Sequence, residues 1–129
     1  MAKKGIKWIG RELVMSPYCI GLCKSKKQFE AELDRRKAPL LERTEWVDDG
    51  KDGKTHFFEG TKDNDLSCIV CIKKKKSIEY TSVLGLLVHE AVHIWQAVKD
   101  ELNEKEPSLE FEAYSIQAIA QRLIEAYGK

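Results

Sequence analysis

The segment GLLVHEAVHIWQ, residues 85–96, places two histidines four positions apart, with a glutamate directly after the first. On a helix, His89 and His93 project from one face one turn apart, so both imidazoles can reach a single metal ion. Glu90 is rotated off that line, where it can lie near a metal-bound water without being a ligand. This His-Glu-x-x-His pattern predicts a zinc site that performs hydrolysis. The alternative is a pair of surface histidines that bind no metal.

The helix that carries these residues is predicted to run from about residue 82 to residue 98. Its apolar positions form one broad face, and the histidines fall on the opposite side beside Gly85 and Gln96. Gly85 lies one turn before His89 on that side and is expected to leave space above it. The pattern therefore predicts that the metal lies on the polar side of a partly buried helix.

A catalytic zinc ion usually has three protein ligands and an open position for water, so a third ligand must come from elsewhere. The candidates are Glu110 and Glu112, at the start of a last helix predicted from Ser108 as N-cap to about Tyr127. The two glutamates flank an apolar stripe on opposite sides, and helix geometry alone does not decide between them. Both also have a simpler role, because acidic residues stabilise the first turn of a helix. His56, the remaining histidine, is expected to be a half-exposed residue of a strand.

Strand-like segments precede these two helices, which predicts an α+β fold with a small antiparallel sheet. Aromatic and β-branched residues at 55–59 and 67–73, separated by a segment rich in Gly, Asp and Asn, indicate an antiparallel hairpin. Residues 11–23 and 43–47 are expected to add further strands. Residues 25–37 predict a supporting helix that begins with a capping box.

The length and composition of the chain are typical of one globular domain, residues 1–129. The net charge of +1 gives no basic field for nucleic acid. The longest uncharged apolar run is too short to cross a membrane, and the N-terminus lacks the apolar region of a secretory signal. We therefore expect a cytoplasmic protein with no nucleic-acid or membrane partner.

Four cysteines raise a competing hypothesis. Cys19, Cys23, Cys68 and Cys71 lie in CIGLC and CIVC, and four thiolates can bind a structural zinc ion. CIVC has the composition of a strand, however, and strand residues three apart point to opposite faces. Partly buried thiols are therefore the expected role of these cysteines.

HEAVH followed by EFEAY resembles the gluzincin metallopeptidases, the thermolysin-like clan. In that clan the third ligand is a glutamate in E-x-x-A-D, or a close variant, on a later helix. On that pattern Glu110 takes the ligand position, Ala113 the small residue and Tyr114 the place of the aspartate. The resemblance thus implies a Zn²⁺ cofactor and favours Glu110 over Glu112. Tyr114 departs from the pattern, because a neutral phenol replaces an acidic residue that would orient a ligand histidine. The alternative role of Tyr114 is to point at substrate.

More narrowly, HEAVHIWQ with EFEAYSIQ is similar to small zincin-like proteins of bacteriophages and prophages. The resemblance implies a minimal zincin with a small antiparallel sheet, a supporting helix, the motif helix and a C-terminal glutamate helix. It also implies hydrolysis of a peptide or protein substrate, with Glu90 as general base and Tyr114 as a group near the oxyanion.

Zincin-like enzymes hold the substrate by strand addition to an edge strand. One arm of the hairpin at 55–73 is the candidate, and CIVCIK, residues 68–73, is the preferred arm. One alternative function is a catalytically silent zinc-binding phage protein that acts as a binding or structural module. A third possibility is a domain that acts only when docked on a larger protein partner. A phage or prophage origin would place the protein in the cytoplasm of a bacterial host.

Overall fold

The computed structural model describes residues 5–9, 17–62, 64–74 and 79–128. The fold is α+β, as predicted. None of the helices in these ranges combines the length and the apolar character needed to cross a membrane. The elements are β1 (Lys7–Trp8), β2 (Cys19–Cys23), α1 (Lys26–Arg35), a short 3-10 helix (Leu40–Glu42), β3 (Gly53–Phe58), β4 (Ser67–Ile72), α2 (Tyr80–Glu101) and α3 (Leu109–Gly128).

The four strands form one mixed sheet in the order β1-β2-β4-β3. β3 and β4 pair antiparallel, which confirms the predicted hairpin, and β1 pairs antiparallel with β2. β2 and β4 run parallel, so the expectation of an antiparallel sheet is wrong for this pair. The physical reason is the long connection between them, which contains α1 and the β3 strand and allows the chain to return in the same direction.

β4 is a central strand, and the prediction that residues 68–73 supply the edge is wrong. All six residues of β4 are buried, whereas most of β3 is partly exposed. A continuous apolar run such as SCIVCI is typical of a strand that is covered on both faces, and not of an edge. Within the described residues, the edges of the sheet are β1 and β3.

Two layers cover the sheet, and the alternation of side chains along β4 separates them. Cys68, Val70 and Ile72 contact the core formed with α2 and α3. Ile69 and Cys71 face the other way, into a smaller core formed with α1. The α2 layer carries the His-Glu-x-x-His motif, so the motif lies on one defined face of the sheet.

The helix α1 begins as the sequence predicts. The backbone N–H of Gln28 donates a hydrogen bond of 3.1 Å to the Ser25 hydroxyl, and the Gln28 side chain accepts one of 2.9 Å from the backbone of Lys24. The capping box is therefore confirmed, with its return bond displaced by one residue.

Two predicted strands differ in the structure. Residues 43–47 are irregular, and Val47 is buried in the α1 core without strand pairing. The strand predicted at 11–23 is confirmed at Cys19–Cys23, and residues 11–16 lie outside the described residues. β1 gave no sequence signal, because its two residues are both exposed and show no alternation.

The helices α2 and α3 confirm the two periodic segments at the end of the chain. α2 extends the predicted 82–98 segment by a few residues at each end. The Ser108 hydroxyl accepts a hydrogen bond of 3.1 Å from the backbone of Phe111, which confirms Ser108 as the N-cap of α3. The fully buried indole of Trp95 packs edge-on against the Phe111 ring, with centroids 5.5 Å apart. This contact fixes the start of α3 against α2.

Candidate metal centre

The two motif histidines lie together on the exposed side of α2. Their Nε2 atoms are 3.2 Å apart, and the ring planes are nearly perpendicular. The Nδ1 atom of His93 lies 3.2 Å from Oε1 of Gln96, one turn further along the helix. Because an amide oxygen can only accept, His93 donates its Nδ1–H to Gln96 and keeps the lone pair on Nε2. Gln96 therefore holds His93 in the tautomer that a metal ligand needs.

The separation of the two nitrogens fits a shared zinc ion. Zinc binds histidine nitrogen at about 2.0–2.1 Å in tetrahedral geometry, which places two ligand nitrogens about 3.3 Å apart. The observed separation of 3.2 Å agrees with this distance. Without metal, the same distance allows a hydrogen bond from His89 to His93. Among the residues that the structure describes, no group of three or more His, Cys, Asp or Glu side chains forms a metal-binding cluster.

The Glu90 side chain points toward the sheet, whereas the two histidines lie on the exposed side of α2. Glu90 is buried, with 5% of its surface exposed. Its Oε1 accepts a hydrogen bond of 2.6 Å from the hydroxyl of Thr55 on β3. A Cβ added at Gly53, two residues earlier on the strand, would lie 3.8 Å from Oε2 of Glu90. The carboxylate is thus held at one oxygen, beside a strand position that carries no side chain.

An open groove of about 580 Å³ runs between α2 and the β3 side of the sheet. A second open groove of about 510 Å³ reaches toward the start of α2, past Gly85, and shares His89 and Glu90 with the first. A Cβ added at Gly85 would contact nothing, so this position is open, as the sequence predicts. The first groove is lined by Asp48, Lys51, Gly53, Lys54, Thr55, Phe57, His89, Glu90, His93, Gln96, Ala97 and Asp100.

The groove is bounded by the outer edge of β3, which pairs with no other strand in the described part of the chain. Lys73 donates a backbone hydrogen bond to Asp52, so this pair is a hydrogen-bonded pair of the antiparallel ladder. Such pairs alternate with non-bonded ones, so residues 53, 55 and 57 direct their backbone N–H and C=O groups away from β4. These groups form an open row of donors and acceptors beside Glu90, where an added strand can pair.

The predicted site residues of α3 do not lie beside the motif residues of α2. Glu112 accepts a hydrogen bond of 2.8 Å from the indole N–H of Trp95, and Lys99 lies 4.0 Å from the same oxygen. Glu110 is exposed in the first turn and has no side-chain partner in the described part of the chain. Tyr114 is 65% exposed. Glu110 and Tyr114 are not among the groove-lining residues, so the structure brings His89, Glu90 and His93 together and leaves these two apart from them.

His56 lies on the opposite face of the sheet from the motif, and the expectation that it is half-exposed is wrong. It is buried, its ring packs at a tilt of 33° against Phe29, and its Nε2 donates a hydrogen bond of 2.8 Å to the carbonyl of Trp46. Burial lowers the pKa of the imidazole, only partly offset by the Trp46 bond, so the ring is neutral near pH 7. This histidine supports the α1 core and does not face the groove.

The four cysteines do not meet at one point. Cys19 and Cys23 lie at opposite ends of β2, and Cys68 and Cys71 face opposite cores. Burial raises the pKa of Cys68 to about 12, which disfavours the thiolate that zinc requires. The structure agrees with the expected role as partly buried thiols, since none of the four forms a disulfide bond and three of them are buried.

Sequence reasoning missed several residues of this site. Gln96 follows His93 by three positions on the same helix face, and helical spacing alone could have identified this contact. Asp100 follows His93 by seven positions on the same face, but it lies beyond the predicted end of this helix. Thr55 and Asp48 had no local signal. Thr55 and Asp48 reach the groove only through the pairing of β3 and the loop before it, which depends on long-range contacts.

Comparisons with protein-family models, with curated proteins and with solved structures give no significant match for this sequence. The geometry of the groove and the motif are therefore the basis for a functional assignment of this chain.

Proposed function

We propose that this protein is a zinc-dependent peptidase in which His89 and His93 bind the metal and Glu90 acts as general base. The observation that carries the proposal is the arrangement at the middle of the groove. A buried carboxylate lines the same groove as two imidazole nitrogens whose separation matches a shared zinc ion. A pair of surface histidines without a catalytic role has no need of a buried glutamate beside them.

The third ligand is predicted to be Glu110, and two features support this choice over Glu112. The Glu112 carboxylate already accepts a hydrogen bond from Trp95, which stabilises the contact between α2 and α3. Glu110 has an exposed side chain with no partner among the described residues, so its use as a ligand would break no existing side-chain contact. The E-x-x-A-Y register of the sequence favours the same residue.

A bound zinc ion would polarise the substrate carbonyl and lower the pKa of a water molecule to near 7. Glu90 would take the proton of this water and return it to the leaving amine, which is the usual role of a carboxylate in this position. Gln96 would keep His93 correctly oriented. The role of Tyr114 as a group near the oxyanion stays a prediction. Tyr114 is exposed and lies outside the groove, so substrate binding or a rearrangement would have to bring it close.

The substrate would bind as an added strand along β3. β3 is the other arm of the hairpin, and it takes the place of the preferred arm, residues 68–73, because β4 lies inside the sheet. The free backbone groups of residues 53, 55 and 57 would hold a peptide by main-chain hydrogen bonds. Recognition through the main chain suits many sequences, which fits a peptide or unfolded protein segment as the substrate class.

The test is a cleavage screen over a diverse peptide library and denatured proteins, with zinc-loaded wild type and Glu90→Gln. We expect wild type to cleave and Glu90→Gln to lose roughly a hundredfold or more in rate while it still binds zinc. Cleavage that is equal in both proteins would indicate a contaminating protease and contradict the proposal.

A zinc-loaded, folded protein that cleaves nothing, alone or with larger protein partners, would favour the silent alternative, a zinc-binding phage protein that acts as a binding or structural module. The proposal includes the expected location in the cytoplasm of a bacterial host and an origin in a phage or prophage. It includes no role for nucleic acid or membrane.

A further inference from the structure

The buried carboxylate of Glu90 is fixed by a side chain from the sheet. The Thr55 hydroxyl donates to Oε1 of Glu90 at 2.6 Å, a length typical of a hydroxyl bonded to a charged carboxylate. Such bonds are about twice as strong as those between neutral groups. Since α2 and β3 are separate elements, this bond sets the orientation of the carboxylate relative to the edge of the sheet.

The second oxygen of Glu90, Oε2, has no hydrogen-bond partner among the residues that the structure describes. It lies on the side of Gly53, where even an added Cβ would come only to 3.8 Å. With Oε1 engaged by Thr55, Oε2 is the oxygen that can accept a proton from water. The hydrogen bond therefore assigns different tasks to the two oxygens of one carboxylate.

The main chain of Thr55 has a separate role from its side chain. Its N–H and C=O point away from β4, along the outer edge of β3. Thr55 is paired with Val70 at a position of the ladder without hydrogen bonds. Thr55 thus presents its backbone to the outer edge of β3 and its hydroxyl to Glu90. A peptide that pairs with Thr55 is brought into a fixed register with the Glu90 carboxylate.

We propose that Thr55 is a positioning residue that couples the substrate-binding edge to the general base. The proposal depends on the peptidase function proposed above and extends it. The residue does not itself touch the reacting atoms through its side chain. It acts by holding Glu90, so its loss slows the chemical step and leaves the binding of substrate and metal in place.

The experiment compares Thr55→Val and Thr55→Ser with wild type on a peptide that wild type cleaves. Valine has the shape of threonine, favours strands and lacks the hydroxyl, whereas serine keeps it. We expect Thr55→Val to lower kcat by roughly 10-fold or more, with KM within about twofold and unchanged zinc binding, because the edge and the ligands are intact. Thr55→Ser should restore kcat to within about threefold of wild type.

A double variant tests whether Thr55 acts through Glu90. Adding Thr55→Val to Glu90→Gln should slow cleavage no further than Glu90→Gln alone, because the two residues act as one unit. Thr44→Val is the matched control, since its hydroxyl lies 3.5 Å from His56 on the other side of the sheet. This control should leave kcat unchanged. Thr55→Ala replaces Thr55→Val if circular dichroism shows that the valine variant does not fold.

The outcomes separate the two proposals. If cleavage depends on Glu90 while Thr55→Val keeps a normal kcat, the role of Thr55 is wrong and the peptidase function stands. An equal loss in Thr55→Ser and Thr55→Val, or a rise in KM without a change in kcat, also overturns the role of Thr55. If cleavage is absent or independent of Glu90, the peptidase function itself is wrong, and the role of Thr55 is rejected with it.

Discussion

The two glutamates at the start of α3 allow a matched comparison, Glu110→Ala against Glu112→Ala. Glu112 accepts a hydrogen bond of 2.8 Å from the indole of Trp95, which is only 1% exposed. Removing the acceptor leaves a buried N–H without a partner, which costs about 1–3 kcal/mol in the free energy of unfolding. Glu110 is exposed and has no side-chain partner in the described ranges, so its removal should change that free energy by less than about 0.5 kcal/mol.

The effect on zinc should be in the reverse order. Glu110→Ala removes one of three predicted ligands, whereas Glu112→Ala leaves all three in place. Because the loss of a residue that merely supports a ligand already costs about 10–100-fold in affinity, we expect at least about a 100-fold loss for Glu110→Ala. For Glu112→Ala, we expect less than about a 10-fold loss, caused only by a loosened contact between α2 and α3.

Two assays measure these effects separately. Thermal unfolding in the presence of a chelator gives the stability of the metal-free protein, where 1 kcal/mol corresponds to about 3–5 °C for a chain of this size. Competition with a colourimetric chelator gives the zinc affinity. Equal zinc losses in both variants, or a larger loss for Glu112→Ala, would refute the ligand assignment. An unchanged melting temperature for Glu112→Ala would refute the energetic role of the Trp95 bond.

Three further predictions concern the metal, the neutral histidine and the buried ion pair. Elemental analysis should find about one zinc per chain. The zinc should be lost in a His89→Ala, His93→Ala double variant and retained when the four cysteines are changed to serine. The reverse pattern would indicate a cysteine site. Because burial lowers the pKa of His56, the unfolded state binds more protons below about pH 6.5, so the free energy of unfolding should fall from pH 7 to pH 5. His56→Gln should flatten that dependence in urea titrations, and an unchanged slope would contradict it. Glu32→Ala should cost about 3 kcal/mol in the same titrations, because it leaves the buried Arg36 side chain without its 2.8 Å partner, and a loss under about 1 kcal/mol would show that the pair contributes little.

The parts of the fold that were predicted correctly have local signals in the sequence. The periodicity of α2 and α3, the capping of α1 by Ser25, and the turn between β3 and β4 are all determined by neighbouring residues. The parallel pairing of β2 with β4 joins strands separated by more than forty residues, and no local pattern encodes it. The central place of β4 did have a signal, its unbroken apolar run, which the edge-strand interpretation overlooked.

The same distinction holds for the candidate site. His89, Glu90 and His93 lie within five residues of one helix, so the motif alone predicts their common location. The contact between Thr55 and Glu90 joins two elements that are far apart in sequence, and only the fold reveals it. The third ligand lies between these cases, since the register of α3 favours Glu110 and the Trp95 contact gives Glu112 a structural role.

The most direct test of the central claim is a zinc titration of peptide cleavage by metal-free protein. If His89 and His93 bind the catalytic ion and Glu90 is the base, cleavage by wild type should rise in proportion to added zinc and level off at about one equivalent per chain. Glu90→Gln should bind the same equivalent of zinc, measured in parallel by chelator competition, and show a rate lower by about a hundredfold or more at every point. Cleavage that does not respond to zinc, or that rises equally in Glu90→Gln, would contradict the account.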